Sequence, residues 1–265
     1  MENINDLYII PNYECNLNCP HCDVHNKKVD YDEEKILNQI STLSFKNGIV
    51  FGGEPLLYKD RLKKIIQTNK ITSVSTNLLL LDKEIVDLLK EYNVSIATSW
   101  NPLRFNNTQE EKWFKKLSLL DDCTVLITLT EDLITMDMEY FKNILKKMDE
   151  TNAIEGILFE QLLSDDATEE FYNKVDEWLV KIHNIWNFKM KNFITDKVLN
   201  WKCDCSKTYT LEPNGILKKG CPQNNGIIIQ QQCLVCPLSN ICQPCVLQKK
   251  CTFPKKLYNL IKGDL

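Results

Sequence analysis

Eleven of the twelve cysteines in this 265-residue chain stand in two groups, with only Cys123 between them. Cys15, Cys19 and Cys22 form a C-x3-C-x2-C run near the start. The other eight lie between Cys203 and Cys251: Cys203, Cys205, Cys221, Cys233, Cys236, Cys242, Cys245 and Cys251. Cysteines used as small hydrophobes are scattered through a core, whereas thiols gathered in this way are metal or cluster ligands. Three thiolates on one loop suit a cubane 4Fe–4S cluster, because they leave one iron open to a substrate or cofactor. Two other readings stay open at this point. Zinc completed by His21 or His25 is one, and a redox pair of Cys19 with Cys22 is the other. Eight thiols satisfy two fully ligated clusters or two structural zincs. The C-x2-C-x5-C-x2-C run has a middle gap shorter than the roughly 15–20 residues of a zinc ribbon. Cys123 opens the apolar run CTVLITLT and reads as core.

The triad needs elements to hold it. Strand-like runs begin at Leu7 (LYII), Gly48 (GIVF), Ile71 (ITSVST), Val94 (VSIATS), Cys123 and Ile154 (IEGILFEQLL). Helix-period segments over Asp32–Leu43, Lys59–Thr68, Asp82–Tyr92, Thr108–Leu120, Met138–Met148 and Thr168–Asn184 alternate with them. Asp82 starts one helix, and Thr108 with the following Gln-Glu-Glu reads as a capping box for another. Six βα units predict an α/β fold with a parallel sheet and right-handed crossovers. An open doubly wound sheet and a partial barrel both satisfy that pattern. The triad follows the first strand directly. After about Asn187 the periodicity gives way to Cys, Pro, Gly, Asn and Gln, with one hairpin, TYTLEPNGILKKGC, turning at Pro213-Asn214-Gly215. The expected division is a larger domain over 1–190 and a small cysteine-rich domain over 191–265, stapled by metal.

Composition narrows the function. A net charge of −4 excludes a generally basic nucleic-acid binder. No run approaches the ~18–20 apolar residues of a membrane span, and MENINDLYII is not a secretory leader. The expected setting is cytoplasmic, with no membrane or nucleic-acid partner, where stable disulfides are rare.

The triad, with a ring residue (His21) before its last cysteine, resembles the signature of radical S-adenosylmethionine enzymes. Gly52-Gly53-Glu54-Pro55, after the second strand, resembles that family's GGEP motif. Thr76-Asn77, ending the third strand, is similar to its ribose-contacting T-N-G, with Leu78 in the third place. Ser99, ending the fourth, resembles a polar residue near the cofactor. The resemblance implies a partial (β/α)6 barrel whose open iron binds the amino and carboxylate groups of S-adenosylmethionine. It also implies that GGEP meets the methionyl amino group, and that an electron from the cluster releases a 5′-deoxyadenosyl radical that takes hydrogen from substrate. Apart from the resemblance, paired glycines let a backbone approach a ligand closely.

The C-terminal cysteines resemble the SPASM extension of the same enzymes, although Gly215 to Cys221 is one residue longer and Cys242 to Cys245 one shorter than usual. By that resemblance Cys203, Cys205, Cys221 and Cys245 hold one auxiliary cluster and Cys233, Cys236, Cys242 and Cys251 the other, making three 4Fe–4S clusters in all. The resemblance implies an oxidoreductase that modifies a peptide or protein side chain, by oxidation or crosslinking. It needs a flavodoxin- or ferredoxin-type electron donor. Fourteen residues before Cys15 leave no room for a leader-binding domain, so a separate recognition protein is one expected partner. Pro222 stands where formylglycine-forming members place a catalytic Asp, which disfavours that reaction. The same chemistry on a small molecule such as a sugar or amine is the alternative, and a non-catalytic zinc or electron-transfer protein is the reading from another class. Trp100, Phe105 and Trp201 are pocket or packing candidates. The lysines near the C-terminus read as a solvated tail. Asp23, Glu160, Asp196 and Asp204 qualify as acids or bases by position only, so no catalytic residue is assigned.

Overall fold

The computed structural model describes residues 4–22, 27–161, 169–185 and 207–219. Six strands alternate with helices: β1 (Ile4–Ile9), β2 (Phe45–Val50), β3 (Ser73–Thr76), β4 (Ser95–Trp100), β5 (Cys123–Leu129) and β6 (Ile154–Gln161). The helices are α1 (Glu33–Thr42), α2 (Lys59–Ile66), α3 (Lys83–Glu91), α4 (Asn107–Leu117), α5 (Glu131–Ile134), α6 (Met138–Glu150) and α7 (Glu169–Ile185). A hairpin of β7 (Thr208–Leu211) and β8 (Leu217–Lys219) follows. The sheet runs β6-β5-β4-β3-β2-β1-β7-β8, parallel throughout except for β7 with β8.

This order decides between the two architectures that the periodicity leaves open. A doubly wound sheet reverses its strand order part-way, sending crossovers to both faces. Here β1 to β6 advance in one direction without reversal, so right-handed crossovers place every helix on the same face. Burial follows the period-2 rule. In β4, Ile96, Thr98 and Trp100 are buried against the helices, while Ala97 and Ser99 stay half-exposed on the opposite face. In β5, Cys123, Val125, Ile127 and Leu129 face the helices, and Thr124, Leu126 and Thr128 do not. The helices return matching apolar stripes, such as Ile36 and Ile40 of α1 or Phe141, Ile144, Leu145 and Met148 of α6. Among the described residues this is the arrangement of a partial barrel, with one face free of helices and the strand C-terminal ends gathered at one rim.

Two local expectations shift. The capping box of α4 begins at Asn106 rather than Thr108: Asn106 Oδ1 accepts from Gln109 N at 2.9 Å, and Gln109 Oε1 accepts from Asn106 N at 3.0 Å. Asparagine is the better N-cap and takes the position two residues earlier. The hairpin forms as the turn residues predict, but β7 also pairs in parallel with β1, matching Asp6 to Thr208 and Ile9 to Leu211. That long-range pairing has no signal in local periodicity. Trp100 is fully buried, its ring packed near Phe141 and its Nε1 donating to Glu110 at 3.0 Å, and Phe105 packs on Trp113, so both belong to packing. Trp201 and the C-terminal lysines lie outside the described residues.

Candidate cofactor site at the C-terminal rim of the sheet

Segment 10–14 continues β1 past the end of the sheet and carries the triad beyond it. The GGEP segment lies directly along it. Phe51 N donates to Ile9 O (2.9 Å), Gly53 N to Asn12 O (3.0 Å) and Glu54 N to Glu14 O (2.7 Å). The glycines are required by this contact. A Cβ on Gly53 would sit 2.0 Å from Glu14 O, and one on Gly52, whose φ is +147°, would sit 2.6 Å from Asn12 O. The close approach read from the sequence is therefore, in this structure, an approach to the cysteine loop's own backbone.

Glu54 is 1% exposed, and its carboxylate ties that segment to the end of β3. It accepts from Leu56 N (2.9 Å), Thr76 Oγ1 (2.7 Å) and Asn77 N (2.8 Å). Burial pushes its pKa up, against these three donors, which pull it down. Thr76 Oγ1 also accepts from Leu78 N, and Asn77 Oδ1 from Leu79 N. Asn77 Nδ2 reaches the triad loop, 2.8 Å from Asn16 Oδ1 and 3.8 Å from Cys15 Sγ. Leu78 takes φ +63°, the left-handed conformation a glycine would adopt freely, and is fully buried. The turn geometry survives without the glycine, at a cost of roughly 1–2 kcal/mol.

Cys15 and Cys22 are half-buried and Cys19 is buried; none is in a disulfide. Cys22 N donates to Cys19 O at 3.1 Å, and Leu17 N lies 3.4 Å from Cys15 Sγ. Burial raises the pKa of Cys15 and of Cys19. The Arg104 guanidinium opposes that rise at both thiols. Burial, then Arg104, lowers His21 to about 4, so its ring is neutral at pH 7. Arg104 follows β4 through a turn in which its N–H donates to Asn101 O (3.0 Å), and Asn101 Nδ2 is anchored on Thr128 O (3.0 Å). Residue types and spacing single out the thiols but not this arginine. A signal was nevertheless there, since the chain holds only two arginines. The other, Arg61, is held between the rings of Tyr31 and Tyr58 at 4.0 Å from each.

The chemistry of the donor set fits a thiolate-held cluster with a zwitterionic cofactor. Three thiols share one loop beside a cation, and His21 Nδ1, Asn12 Oδ1 and Arg104 Nε are buried without partners. Among the described residues no three His, Cys, Asp or Glu side chains close around a single ion. Ser99 lies on the helix-free face in register with Leu126. Pro55 is buried and opens the 3₁₀ turn Pro55–Tyr58. Cys203, Cys205, Cys221, Cys233, Cys236, Cys242, Cys245 and Cys251 lie outside the described residues, as do His25, Asp23, Asp196 and Asp204. A cavity of about 570 Å³ lies at the opposite rim near Phe45, Lys70 and Thr72. There Lys70 Nζ closes the α1 carbonyls of Ile40, Ser41 and Leu43, a structural task.

Residues 9–100 match the Radical SAM superfamily, a span that contains the triad, GGEP, Thr76-Asn77 and Ser99. Over that span the chain is similar to radical SAM proteins. Its curated relatives include a GTP 3',8-cyclase of Clostridium botulinum, 26% identical over 69% of this chain and 56% of that protein. Another is the radical SAM cyclopropyl synthase TigE of Paramaledivibacter caminithermalis, 22% identical over 82% of this chain and 57% of that one. The chain thus spans little more than half the length of these relatives. Among solved structures, anSMEcpe with bound AdoMet and the Cp18Cys peptide superposes with a TM-score of 0.62 at 15% identity, covering 98% of this chain and 99% of that one. Streptococcus suis SuiB bound to its precursor peptide SuiA gives 0.63 at 15%, covering 88% and 62%. At that identity the likeness shows a shared fold. The matched segment carries the triad at the strand C-terminal ends, where parallel α/β sheets bind ligands. Among the described residues no helix is long and apolar enough to cross a membrane.

Proposed function

We propose that this chain is a radical S-adenosylmethionine enzyme acting on a peptide or protein side chain. The observation that carries the reading is the clamp of the Cys15–Cys22 loop by Gly52-Gly53-Glu54, beside a neutral His21 and the guanidinium of Arg104. Cys15, Cys19 and Cys22 would hold a 4Fe–4S cluster with one open iron. When bound, the cluster and S-adenosylmethionine supply one-electron cleavage and hydrogen-atom abstraction, chemistry that belongs to the cofactor. The chain's own residues orient and enclose. Arg104 offers a cation to the cofactor's carboxylate, and Asn12 Oδ1 a buried acceptor to its ammonium. Glu54 holds Thr76 and Asn77 in place through three hydrogen bonds. The eight C-terminal cysteines would hold two auxiliary clusters as a SPASM module. A flavodoxin or ferredoxin would deliver the electron, and a separate recognition protein would present the substrate.

The GTP cyclase relatives raise a nucleotide reading, which the helix-free face disfavours. A triphosphate calls for several convergent cations. The described strand positions on that face include Tyr8, Ile49, Ser75, Ser99, Thr128 and Leu158, none of them cationic. Lys218 stands there too, but it is paired with Glu212 at 2.9 Å. Hydroxyl-rich and apolar surface of this kind suits an uncharged side chain on a peptide.

The test is 5′-deoxyadenosine release by the anaerobically reconstituted, reduced protein with host lysate, untreated or digested with protease that is then inactivated. Stimulation abolished by digestion is expected, whereas stimulation that survives it would transfer the activity to a small molecule. Changing Cys15, Cys19 and Cys22 together to Ala should abolish release while auxiliary iron remains. Zinc in place of iron would leave the non-catalytic reading standing.

A further inference from the structure

We propose that Glu212 is a positioning residue for the cysteine loop, through which the C-terminal hairpin sets where Cys15, Cys19 and Cys22 stand. The inference rests on the reading of the triad as the cofactor site. Segment 10–14 is gripped from two sides. On one, the GGEP segment supplies the backbone bonds already described. On the other, the hairpin supplies Leu211 O, which accepts from Ile10 N at 2.9 Å. Past Ile10 that side continues through a side chain, as the Tyr13 hydroxyl donates to the Glu212 carboxylate. Tyr13 is 5% and Glu212 7% exposed, and Tyr13 stands two residues before Cys15.

Glu212 is itself fixed. Its N–H donates to Ile216 O and its C=O accepts from Gly215 N, both at 2.9 Å, while Lys218 Nζ donates to its other carboxylate oxygen at 2.9 Å. The turn beyond it is anchored on the first helix. Asp32 N donates to Pro213 O at 2.8 Å, and Gly215, with φ +77°, lies so close to Lys35 that a Cβ would meet the lysine Cβ at 2.4 Å. A buried hydrogen bond between two pinned elements holds a loop that local contacts alone would leave free to open.

The experiment uses the full-length chain before cluster reconstitution. Iodoacetamide labelling of Cys15, Cys19 and Cys22 is timed by residue-resolved mass spectrometry, with buried Cys123 as the internal standard. Tyr13→Phe removes one oxygen and keeps the ring, so it is expected to speed Cys19 labelling roughly tenfold with Cys123 unchanged, the loss of about one buried hydrogen bond. Glu212→Ala should match it, the double variant should add nothing further, and Glu212→Gln, which can still accept from the hydroxyl, should stay near wild type. An unchanged Cys19 rate in Tyr13→Phe would overturn the proposal. Should Glu212→Ala expose Cys123 through general loosening, Tyr13→Phe decides. The labelling reads the loop itself, so its result stands even if the chain released no 5′-deoxyadenosine, an outcome that would sink the proposed function instead.

Discussion

At Glu54 a fully buried carboxylate is retained because three donors converge on it from two different elements. Glutamine has the same shape but turns one acceptor into an NH2 group facing N–H or O–H donors. Glu54→Gln is therefore expected to lower the free energy of unfolding by about 1–3 kcal/mol, the cost of leaving a buried polar group unsatisfied, read by urea denaturation. An unchanged midpoint would mean that the carboxylate is not the tie between GGEP and β3. Cys123 gives a second residue-scale prediction. Burial lifts its pKa to about 12 from an ordinary value of 9.0. Between those values the unfolded chain has lost the thiol proton and the native one keeps it, so stability falls as pH rises. Wild type should lose up to about 1.4 kcal/mol per pH unit more than Cys123→Ala across that window, and the two slopes should agree below about pH 8. Parallel slopes throughout would refute the burial. At this scale the sequence located the triad and GGEP, because rare residue types at fixed spacing need no tertiary information. It did not reveal why Gly53 is glycine, since Glu14 lies thirty-nine residues away and meets it only in the fold.

Helices were legible as elements because their starts are written in side chains. Asp82 caps α3 by accepting from Ile85 N at 3.0 Å and also pairs with Lys59 of α2. Both contacts lower its pKa, the Lys59 bond first. The folded carboxyl thus holds its proton less tightly than the unfolded one. Its contribution is complete above the unfolded value of about 4 and fades as pH falls through the lowered folded value. Asp82→Ala should cost about 0.5–2 kcal/mol at pH 7, and Asp82→Asn, which still caps but does not pair, should cost less, both measured by thermal unfolding. Equal losses would assign the effect to the ion pair instead. What the local pattern misplaced was the exact cap of α4, because Asn106 and Thr108 both qualify and only the closed geometry shows Asn106 bonded to Gln109. It also passed over α5, a single turn too short for any period to register.

Across the whole molecule, the partial barrel follows from strand order, and strand order is information that composition and periodicity lack. Six βα units were readable, and so was the hairpin. That β7 lies against β1, closing the edge beside the cysteine loop, was not, because a parallel pairing across two hundred residues leaves no local trace. Its consequence for integrity is direct. A chain cut after residue 190 loses the parallel partner of β1, the acceptor for Ile10 N and the acceptor for Asp32 N. It also uncovers Leu7 and Ile9, both fully buried in the whole chain. Unpaired edge backbone next to apolar side chains invites strand-to-strand association. The truncated chain is therefore expected to sediment as oligomers or aggregate, and to lose protection from hydrogen exchange in residues 4–14, while the same measurement on the whole chain shows β1 among its most protected strands. If residues 1–190 remained monomeric with β1 protected, the hairpin would be an addition to a self-sufficient sheet, and the coupling of the C-terminal segment to the cysteine loop would lose its structural basis.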